Sequence, residues 1–220
     1  MSNATQSVAA ARINSLLDAN SFVEIGQAVT ARTTDFNMTE KKAPSDGVIT
    51  GYGVIDGSLV YVYSQDASVL NGTVGEMHAK KIAKIYDLAL KVGAPVIGLV
   101  DCAGLRLQEA TDALEAFGEI YLKQTLASGV IPQITAVFGT CGGGMAVVPA
   151  LTDFTFVEEK KGRLFVNTSN ALEGNRVEKC DSASAQFQSE ETGLVDGIGT
   201  EEEILGQIRT LISMLPENNE

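Results

Sequence analysis

Two apolar segments are each followed by a loop of small residues and then by a helical pattern, and this order limits the folds open to the chain. Residues 96–100 and 131–138 are nearly all apolar, as expected for strands covered on both faces. Their loops, 101–106 and 139–145, lead into predicted helices, the first of which covers 108–128. Strands that alternate with helices are joined by crossovers and lie parallel. The sequence therefore predicts an α/β fold with a parallel sheet.

Other patterns extend this sheet and its helical cover. Residues 48–55 and 59–64 are rich in β-branched and aromatic residues and are joined by Asp56-Gly57, which predicts an antiparallel hairpin. A last helix is predicted after Thr200, with Glu203 as its capping-box partner. Apolar residues at helical spacing predict further helices over 7–17 and 76–92, and the helix over 108–128 is expected to bury Leu114, Phe117, Tyr121 and Leu126.

The second loop contains three consecutive glycines, Gly142, Gly143 and Gly144, directly before a predicted helix that runs to about residue 150. Glycine loses more backbone entropy on folding than any other residue, so a run of three suggests a backbone that must be bare. Exposed N–H groups at a helix start can hold an anion or a developing oxyanion. A tight strand-to-helix connection that needs close packing explains the glycines equally well.

Both loops leave the carboxyl ends of predicted parallel strands. Such ends lie at one edge of a sheet, where ligands bind in open α/β folds. We therefore expect the N–H groups of 101–106 and 139–145 to converge. One donor from each loop would form an oxyanion hole for a thioester carbonyl that becomes an enolate.

Charge and cysteine content exclude several classes of function. A net charge of -12 argues against a nucleic-acid surface, which needs clustered Lys and Arg. Cys102, Cys141 and Cys180 form no CxxC pair, so neither a disulfide framework nor a zinc site is predicted. The sequence has no apolar run of membrane-spanning length and no signal-peptide pattern at its start, which predicts a cytoplasmic protein.

A series of ordered segments resembles a known family. These segments are Thr50-Gly51-Tyr52-Gly53, Tyr61-Val62-Tyr63-Ser64-Gln65-Asp66, Gly75-Glu76-Met77-His78-Ala79-Lys80-Lys81-Ile82, Gly93-Ala94-Pro95-Val96-Ile97-Gly98-Leu99, Ala127-Ser128-Gly129-Val130-Ile131-Pro132-Gln133-Ile134 and Pro149-Ala150-Leu151-Thr152-Asp153. Together they resemble the N-terminal, acyl-CoA-binding half of the carboxyltransferase subunit of biotin-dependent acyl-CoA carboxylases and decarboxylases. The resemblance covers almost the whole chain and is weak for the choice of substrate.

The resemblance implies a single domain over 1–220 with a crotonase-like ββα superhelix, the ClpP/crotonase fold. Its expected parts are an N-terminal helix and loop (1–46), the ββα core (47–199) and a C-terminal helix with a tail (200–220). By the family's pattern the oxyanion donors are the amides of Leu105 and Gly143, while Gly104 and Gly144 shape the two loops.

The residues after the triplet, Met145-Ala146, stand where a hydratase of the same superfamily would carry a glutamate as general base. Hydration is therefore disfavoured. The resemblance implies instead carboxyl transfer to or from biotin, in which the biotin ureido anion takes the α-proton and this chain holds no metal.

The implied partners are acyl-CoA, a homologous subunit that supplies the C-terminal half, and a biotin carboxyl carrier protein, in an oligomer without nucleic acid. The expected contacts to coenzyme A are Lys80, Lys81 and Arg106, although solvated lysines and an Arg106 to Glu109 pair are also open. His78, Cys102 and Cys141 are expected to be packed structural residues.

Two other functions remain open at this point. Residues 104–110 also resemble the matching segment of the small β subunit of malonate decarboxylase, so the chain could belong to a malonate-type decarboxylase. An alternative of another class is a non-catalytic subunit that binds acyl-CoA and only scaffolds a complex.

Overall fold

The computed structural model describes residues 7–32, 43–167 and 181–216. Within these ranges the strands are β1 (Val23–Ile25), β2 (Val48–Ile55), β3 (Ser58–Gln65), β4 (Val96–Cys102), β5 (Gln133–Gly142), β6 (Phe154–Glu158), β7 (Arg163–Phe165) and β8 (Gly197–Gly199). The helices are α1 (Val8–Leu16), α2 (Glu76–Val92), α3 (Ala110–Ala127), α4 (Val147–Leu151), α5 (Ala185–Phe187) and α6 (Glu201–Met214). Short 3-10 turns cover Ser45–Gly47, Leu70–Gly72, Leu107–Glu109 and Gly143–Ala146.

The strands form one mixed sheet in the order β1-β2-β3-β4-β5-β6-β8, and β7 pairs with the end of β5. The first three strands are antiparallel, whereas β3 to β6 and β8 run parallel. The predicted hairpin is confirmed, with Asp56 and Gly57 both at positive φ in its turn. The predicted parallel crossovers are confirmed as well.

Helices cover both faces of the sheet because the strands alternate their apolar side chains. Tyr61 and Tyr63 pack with α2 and α3 on one face, and Val60 and Val62 pack with α1 and α6 on the other. The same alternation in β4 separates Val96 and Val100 from Ile97 and Leu99, so the strand is buried on both sides. The predicted capping box of Thr200 and Glu203 starts α6.

Two features differ from the predicted pattern of burial in α3. Leu114 is 61% exposed and Leu126 is 56% exposed, so the prediction that both are buried is wrong. The helix packs instead through Ala113, Ala116, Phe117, Ile120, Gln124 and Ala127. Small alanines let α3 approach α2 closely, and the larger leucines lie on its outer side.

The glycine run also differs from the prediction. Strand β5 continues through Gly142, and the 3-10 turn Gly143–Ala146 precedes a helix of only 5 residues, α4. The extension forms because β7 pairs with residues 140–142 and adds a short ladder. The glycines therefore lie at a strand end and in a tight turn, and do not start a long helix.

No helix in the described parts of the chain combines the length and hydrophobicity needed to cross a membrane.

The first residue of α3 has a backbone conformation that a side chain disfavours. Ala110 lies at φ 46 and ψ -119, a region that non-glycine residues occupy only with strain of about 1–3 kcal/mol. We expect Ala110→Gly to raise the free energy of unfolding by about 1 kcal/mol, since glycine adopts this conformation without the Cβ clash. Urea unfolding would measure the change.

Ala113→Gly is the matched control, because Ala113 lies one turn further along α3 and is buried. There the same substitution should destabilise the protein by about 1 kcal/mol or more, as glycine does in a regular helix. Equal destabilisation by both changes would show that Ala110 is not strained.

Candidate active site

The two predicted loops meet at the carboxyl ends of β4 and β5. Cys102 is the register partner of Cys141 in the parallel pair. Beyond this pair, a Cβ placed on Gly104 would lie 3.0 Å from the carbonyl oxygen of Gly142. Gly104 has φ +111, so only glycine allows this close approach. The expected convergence of the loops is thus present.

In the first loop, the backbone N–H of Leu105 points away from Val74, the residue with which Leu105 forms an isolated parallel β-bridge. Val74 N–H donates to Gly104 C=O at 2.9 Å, and Arg106 N–H donates to Val74 C=O at 3.0 Å. In such a parallel bridge the N–H of the intervening residue faces the opposite side. Within residues 7–32, 43–167 and 181–216, the Leu105 N–H meets no hydrogen-bond acceptor.

In the second loop, the ladder with β7 decides which amide is paired. Leu164 N–H donates to Ala183 C=O at 2.9 Å, and Thr140 N–H donates to Asp101 Oδ1 at 3.2 Å. Neither amide is then available for the β5–β7 ladder. In the register that pairs Gly142 with Phe165, the alternation of parallel ladder bonds directs the Gly143 N–H to the Phe165 C=O.

The next amide, that of Gly144, is left without a partner. It is the second residue of the turn Gly143–Ala146, and the first residues of a helical turn have no acceptor within it. No other acceptor for it lies in the described part of the chain. The register therefore makes Gly144 a candidate donor beside the expected Gly143, and which of the two amides faces substrate stays a prediction.

A cavity lies beside the first loop. It has a volume of about 440 Å³, within the range typical of small-molecule sites. Its lining is neutral and mixes apolar with polar side chains, from Ser68, Leu70, Asn71, Thr73, Leu105, Leu107 and Gln108. The cavity places space for a ligand next to the unpaired amide of Leu105.

Buried charges hold the first loop in place. Arg106 is fully buried and its Nη1 contacts Asp46 Oδ1 at 2.5 Å and Glu109 Oε1 at 2.9 Å. Its Nη2 donates to Thr73 C=O at 2.7 Å. Glu109 also accepts the N–H of Glu76, at the start of α2, at 2.7 Å. The residue next to Leu105 is thereby tied to three other segments.

A second set of buried hydrogen bonds links both loops to α2. Gln65 Oε1 accepts the Asp101 N–H at 3.3 Å, so its amide nitrogen faces His78 Nε2 at 3.1 Å and Met145 Sδ at 3.7 Å. Because that amide donates, Nε2 of His78 must accept, and its Nδ1–H donates to Asp46 C=O at 2.9 Å. His78 is therefore a neutral, structural histidine, as predicted.

Burial, together with the nearby charge of Arg106, lowers the pKa of His78 to about 3. An unfolded histidine has a pKa of about 6.5, so the unfolded chain takes up a proton below that pH while the folded chain does not. We expect the free energy of unfolding to fall as the pH drops from about 6.5 towards 3, by up to about 1.4 kcal/mol per pH unit from this group.

Denaturant unfolding at several pH values would test this, with His78→Gln as the comparison. The sequence has one histidine, so the variant removes all histidine titration, and its stability should depend less steeply on pH below 6.5. The comparison uses the slope of unfolding free energy against pH in each protein. The stability that the variant loses at pH 7 therefore does not affect the result. Identical slopes would contradict the buried, neutral state of His78.

The structure does not support two of the three expected contacts to coenzyme A. Arg106 is enclosed by its ion pairs. Lys81 is 5% exposed, its Nζ donates to Ser45 C=O at 2.9 Å, and burial lowers its pKa to about 8. Neither side chain can reach a phosphate without breaking buried bonds.

The third expected contact, Lys80, lies at the surface in an acidic setting. It pairs with Glu76 and lines a cavity of about 610 Å³ between α2 and α3. The charged side chains there are Arg32, Lys80, Glu76, Asp112, Glu115 and Glu119. Acidic groups outnumber basic ones, which disfavours a phosphate at this place.

The two thiols of the site are packing groups. Burial raises the pKa of Cys102 to about 12 and that of Cys141 well above its usual value, so neither is a thiolate. Each also holds its own loop, since Cys102 Sγ accepts the Gly104 N–H at 3.3 Å and Cys141 Sγ contacts Met145 C=O at 3.4 Å. Among the described residues, no group of three His, Cys, Asp or Glu side chains could hold a metal ion. Cys180 lies outside those residues.

Sequence reasoning missed Asp46, Gln65 and Tyr121 as residues that support the site. Asp46 stands in a polar segment that reads as a surface loop, and Gln65 is one polar residue at a strand end. Nothing in their local pattern indicates burial. Tyr121 was expected to be buried, but its hydrogen bond to Gly144 C=O has no local signal either.

Comparisons with known proteins show the family to which the chain belongs. The family described as "Carboxyl transferase domain" matches residues 2–220. The methylmalonyl-CoA decarboxylase subunit alpha of Veillonella parvula and the propionyl-CoA carboxylase beta chain of Roseobacter denitrificans are each 42% identical over 212 residues, which cover 94% of this chain and 42% of the relative.

A solved structure of transcarboxylase 12S with hydrolyzed methylmalonyl-coenzyme A bound has a TM-score of 0.90 at 34% identity, covering 96% of this chain and 42% of that chain. The predicted fold, a crotonase-like α/β domain of the carboxyltransferase type, is confirmed by this likeness. The chain spans less than half the length of the relatives that it matches.

Proposed function

Since this chain belongs to the carboxyl transferase domain family, we propose that it is the acyl-CoA-binding part of a biotin-dependent carboxyltransferase. In this role it stabilises the enolate of an acyl-CoA thioester while a carboxyl group moves to or from biotin. The observation that carries the proposal is that two loops with unpaired amides, at Leu105 and at Gly144, meet at the ends of β4 and β5, with a cavity beside the first loop.

The two amides act on the thioester oxygen. As the α-carbon loses its proton or its carboxyl group, negative charge develops on that oxygen, and two fixed N–H donors stabilise it without rearranging. Gly104 and the ladder of Gly143 fix the two loops so that the donors are placed before substrate binds. The chain thereby lowers the barrier to enolate formation and leaves the carboxyl transfer to its partners.

In the described part of the chain, the residues that follow the glycines offer no base to the α-proton. Met145, Ala146 and Val147 follow the glycines, the thiols of Cys102 and Cys141 keep their protons, and His78 lies in a closed buried network. This set of residues fits biotin on a separate carrier protein, which supplies or accepts the carboxyl group and takes the proton. Site residues for biotin belong, in this proposal, to the partner.

We propose that the partner is a chain homologous to the part of the relatives that lies beyond this match, because the chain covers 42% of their length. Its docking face would be the leucine face of α3, defined by Leu114, Leu122 and Leu126, which are 61%, 55% and 56% exposed. These residues recur at multiples of four and lie on the helix that packs against the glycine turn.

Leu122→Asp should weaken association with that partner about 100-fold or more, since it places a charge in an apolar contact. Isothermal titration with the purified partner measures the dissociation constant. Val8→Asp is the control, because Val8 is also more than half exposed, at 61%, on α1 at the opposite side of the sheet. Unchanged binding by Leu122→Asp would move the interface away from α3.

The enzymatic proposal is tested with the chain, its partner and biotin. Exchange of the α-protons of propionyl-CoA in D₂O reports the enolate step, and carboxyl transfer from methylmalonyl-CoA to biotin reports the complete reaction. Parallel assays with malonyl-CoA test the malonate-type alternative. Binding of these esters without exchange, transfer or decarboxylation would contradict the enzyme and favour the scaffold subunit.

A further inference from the structure

We propose that Tyr121 is a positioning residue of the active site: its hydroxyl fixes the glycine turn so that the Gly144 N–H faces the substrate. The catalytic consequence of this inference rests on the proposed function. Its geometry rests only on the contacts between α3 and the glycine turn.

The hydroxyl of Tyr121 donates a hydrogen bond to the carbonyl oxygen of Gly144. The N–H of Val147 donates to the same oxygen from the start of α4. On the other side, β7 pairs with β5 up to Gly142, the residue directly before the turn, so the turn is held at both ends. Glycine provides no side chain to restrict rotation, so these bonds set the direction of the amide between them.

Packing of α3 against the turn leaves Tyr121 one place to donate. A Cβ on Gly144 would lie 3.0 Å from the Tyr121 hydroxyl and 3.3 Å from Phe117 Cδ1, which shows how closely the two rings close the inner side of the turn. The rings themselves pack at a centroid distance of 5.9 Å. The outer side is open, because a Cβ on Gly143 would meet nothing within 4 Å.

The hydroxyl is suited to donating a bond and unsuited to acting as a base. Burial raises the pKa of Tyr121 above its usual value, so the proton stays on the oxygen at neutral pH. The hydroxyl therefore keeps the proton that it donates to the carbonyl at neutral pH.

Tyr121→Phe keeps the ring and removes the bond. In the isolated chain, hydrogen exchange of the backbone amides in 139–150 should become about fivefold faster, as expected for the loss of one hydrogen bond. Tyr52→Phe is the control, since Tyr52 packs against Tyr61 in the hairpin. Equal exchange in 139–150 for both variants would overturn the proposal.

With partner and biotin present, Tyr121→Phe should lower kcat about tenfold and leave KM for the acyl-CoA unchanged, because a misplaced donor weakens the transition state more than ground-state binding. A purely structural tyrosine would leave kcat intact at temperatures below unfolding, and that result would overturn the proposal. If the wild-type complex catalyses no exchange or transfer, the proposed function fails, and the amide exchange still decides whether Tyr121 holds the turn.

A double-mutant cycle sharpens the assignment. Gly144→Ala should lower kcat in the wild type, because its Cβ meets the Tyr121 hydroxyl, and should have a smaller effect in the Tyr121→Phe background, where that oxygen is gone. If the double variant lost kcat by the product of the two single effects, the substitutions would act independently. Tyr121 would then not act through the turn, and the proposal would be overturned.

Discussion

Replacing the backbone N–H of Gly144 with an ester oxygen is expected to lower kcat of the reconstituted carboxyl transfer by about 10²–10³-fold. That is the usual effect of removing one oxyanion donor, about 2.7–4 kcal/mol of transition-state stabilisation. The ester keeps φ and ψ and deletes only the donor, so the effect isolates the hydrogen bond. Introducing glycolic acid at this position, followed by steady-state kinetics, makes the measurement.

Esters at two other positions complete the test. The ester that replaces the Leu105 N–H should give a loss of similar size, whereas the one at Gly143 should change kcat much less, because that N–H faces the β7 ladder. Gly143→Pro is a poor probe, since Gly143 has φ +60 and proline requires a negative φ. A large loss at Gly143 with none at Gly144 would return the donor role to Gly143.

Arg106→Met is expected to lower the free energy of unfolding by about 3–5 kcal/mol. The substitution leaves two carboxylates, Asp46 and Glu109, buried without their cation, and an uncompensated buried charge is strongly unfavourable. Urea unfolding at pH 7 measures the loss. The variant should also recover part of its stability at lower pH, where a carboxylate can take up a proton.

Arg209→Met is the matched control. Arg209 also contacts two carboxylates, Asp18 at 2.8 Å and Asp56 at 2.6 Å, but these groups lie at the surface. We expect a loss of about 1 kcal/mol or less there, because solvent screens exposed ion pairs. If both variants lost the same unfolding free energy, burial would not make the ion pairs of Arg106 contribute more to stability than those of Arg209.

The strands and helices were predictable because their patterns are local. The alternation of Val60, Tyr61, Val62 and Tyr63 indicates a strand whose two faces are both covered, and the capping box at Thr200 fixes a helix start within four residues. The buried face of α3 was not predictable in the same way. Both its alanine side and its leucine side have helical spacing, and packing against α2 selects the side that allows the closer approach.

In the candidate site too, some features follow from local sequence patterns and others do not. That two glycine-containing loops follow neighbouring parallel strands can be read from the sequence, and so can the family. The charged residues of the predicted coenzyme A site could not be placed, because Lys81 and Arg106 have the local pattern of surface residues. The segment 45–48 supplies the acceptors of Lys81 and one of the two carboxylates paired with Arg106, and it lies 33 to 60 residues away in the chain.

The sequence by itself determined the α/β order of elements, the two loops and the membership of the carboxyltransferase family. Only the tertiary structure decided which amides of those loops remain unpaired. An N–H is free or bound according to the acceptor opposite it, and for Gly143 the strand register points to an acceptor in β7, beyond α4 and β6 in the chain. The tertiary structure also decided that Arg106 supports the loop from inside, because burial among Asp46, Glu109 and Thr73 satisfies its charge within the protein.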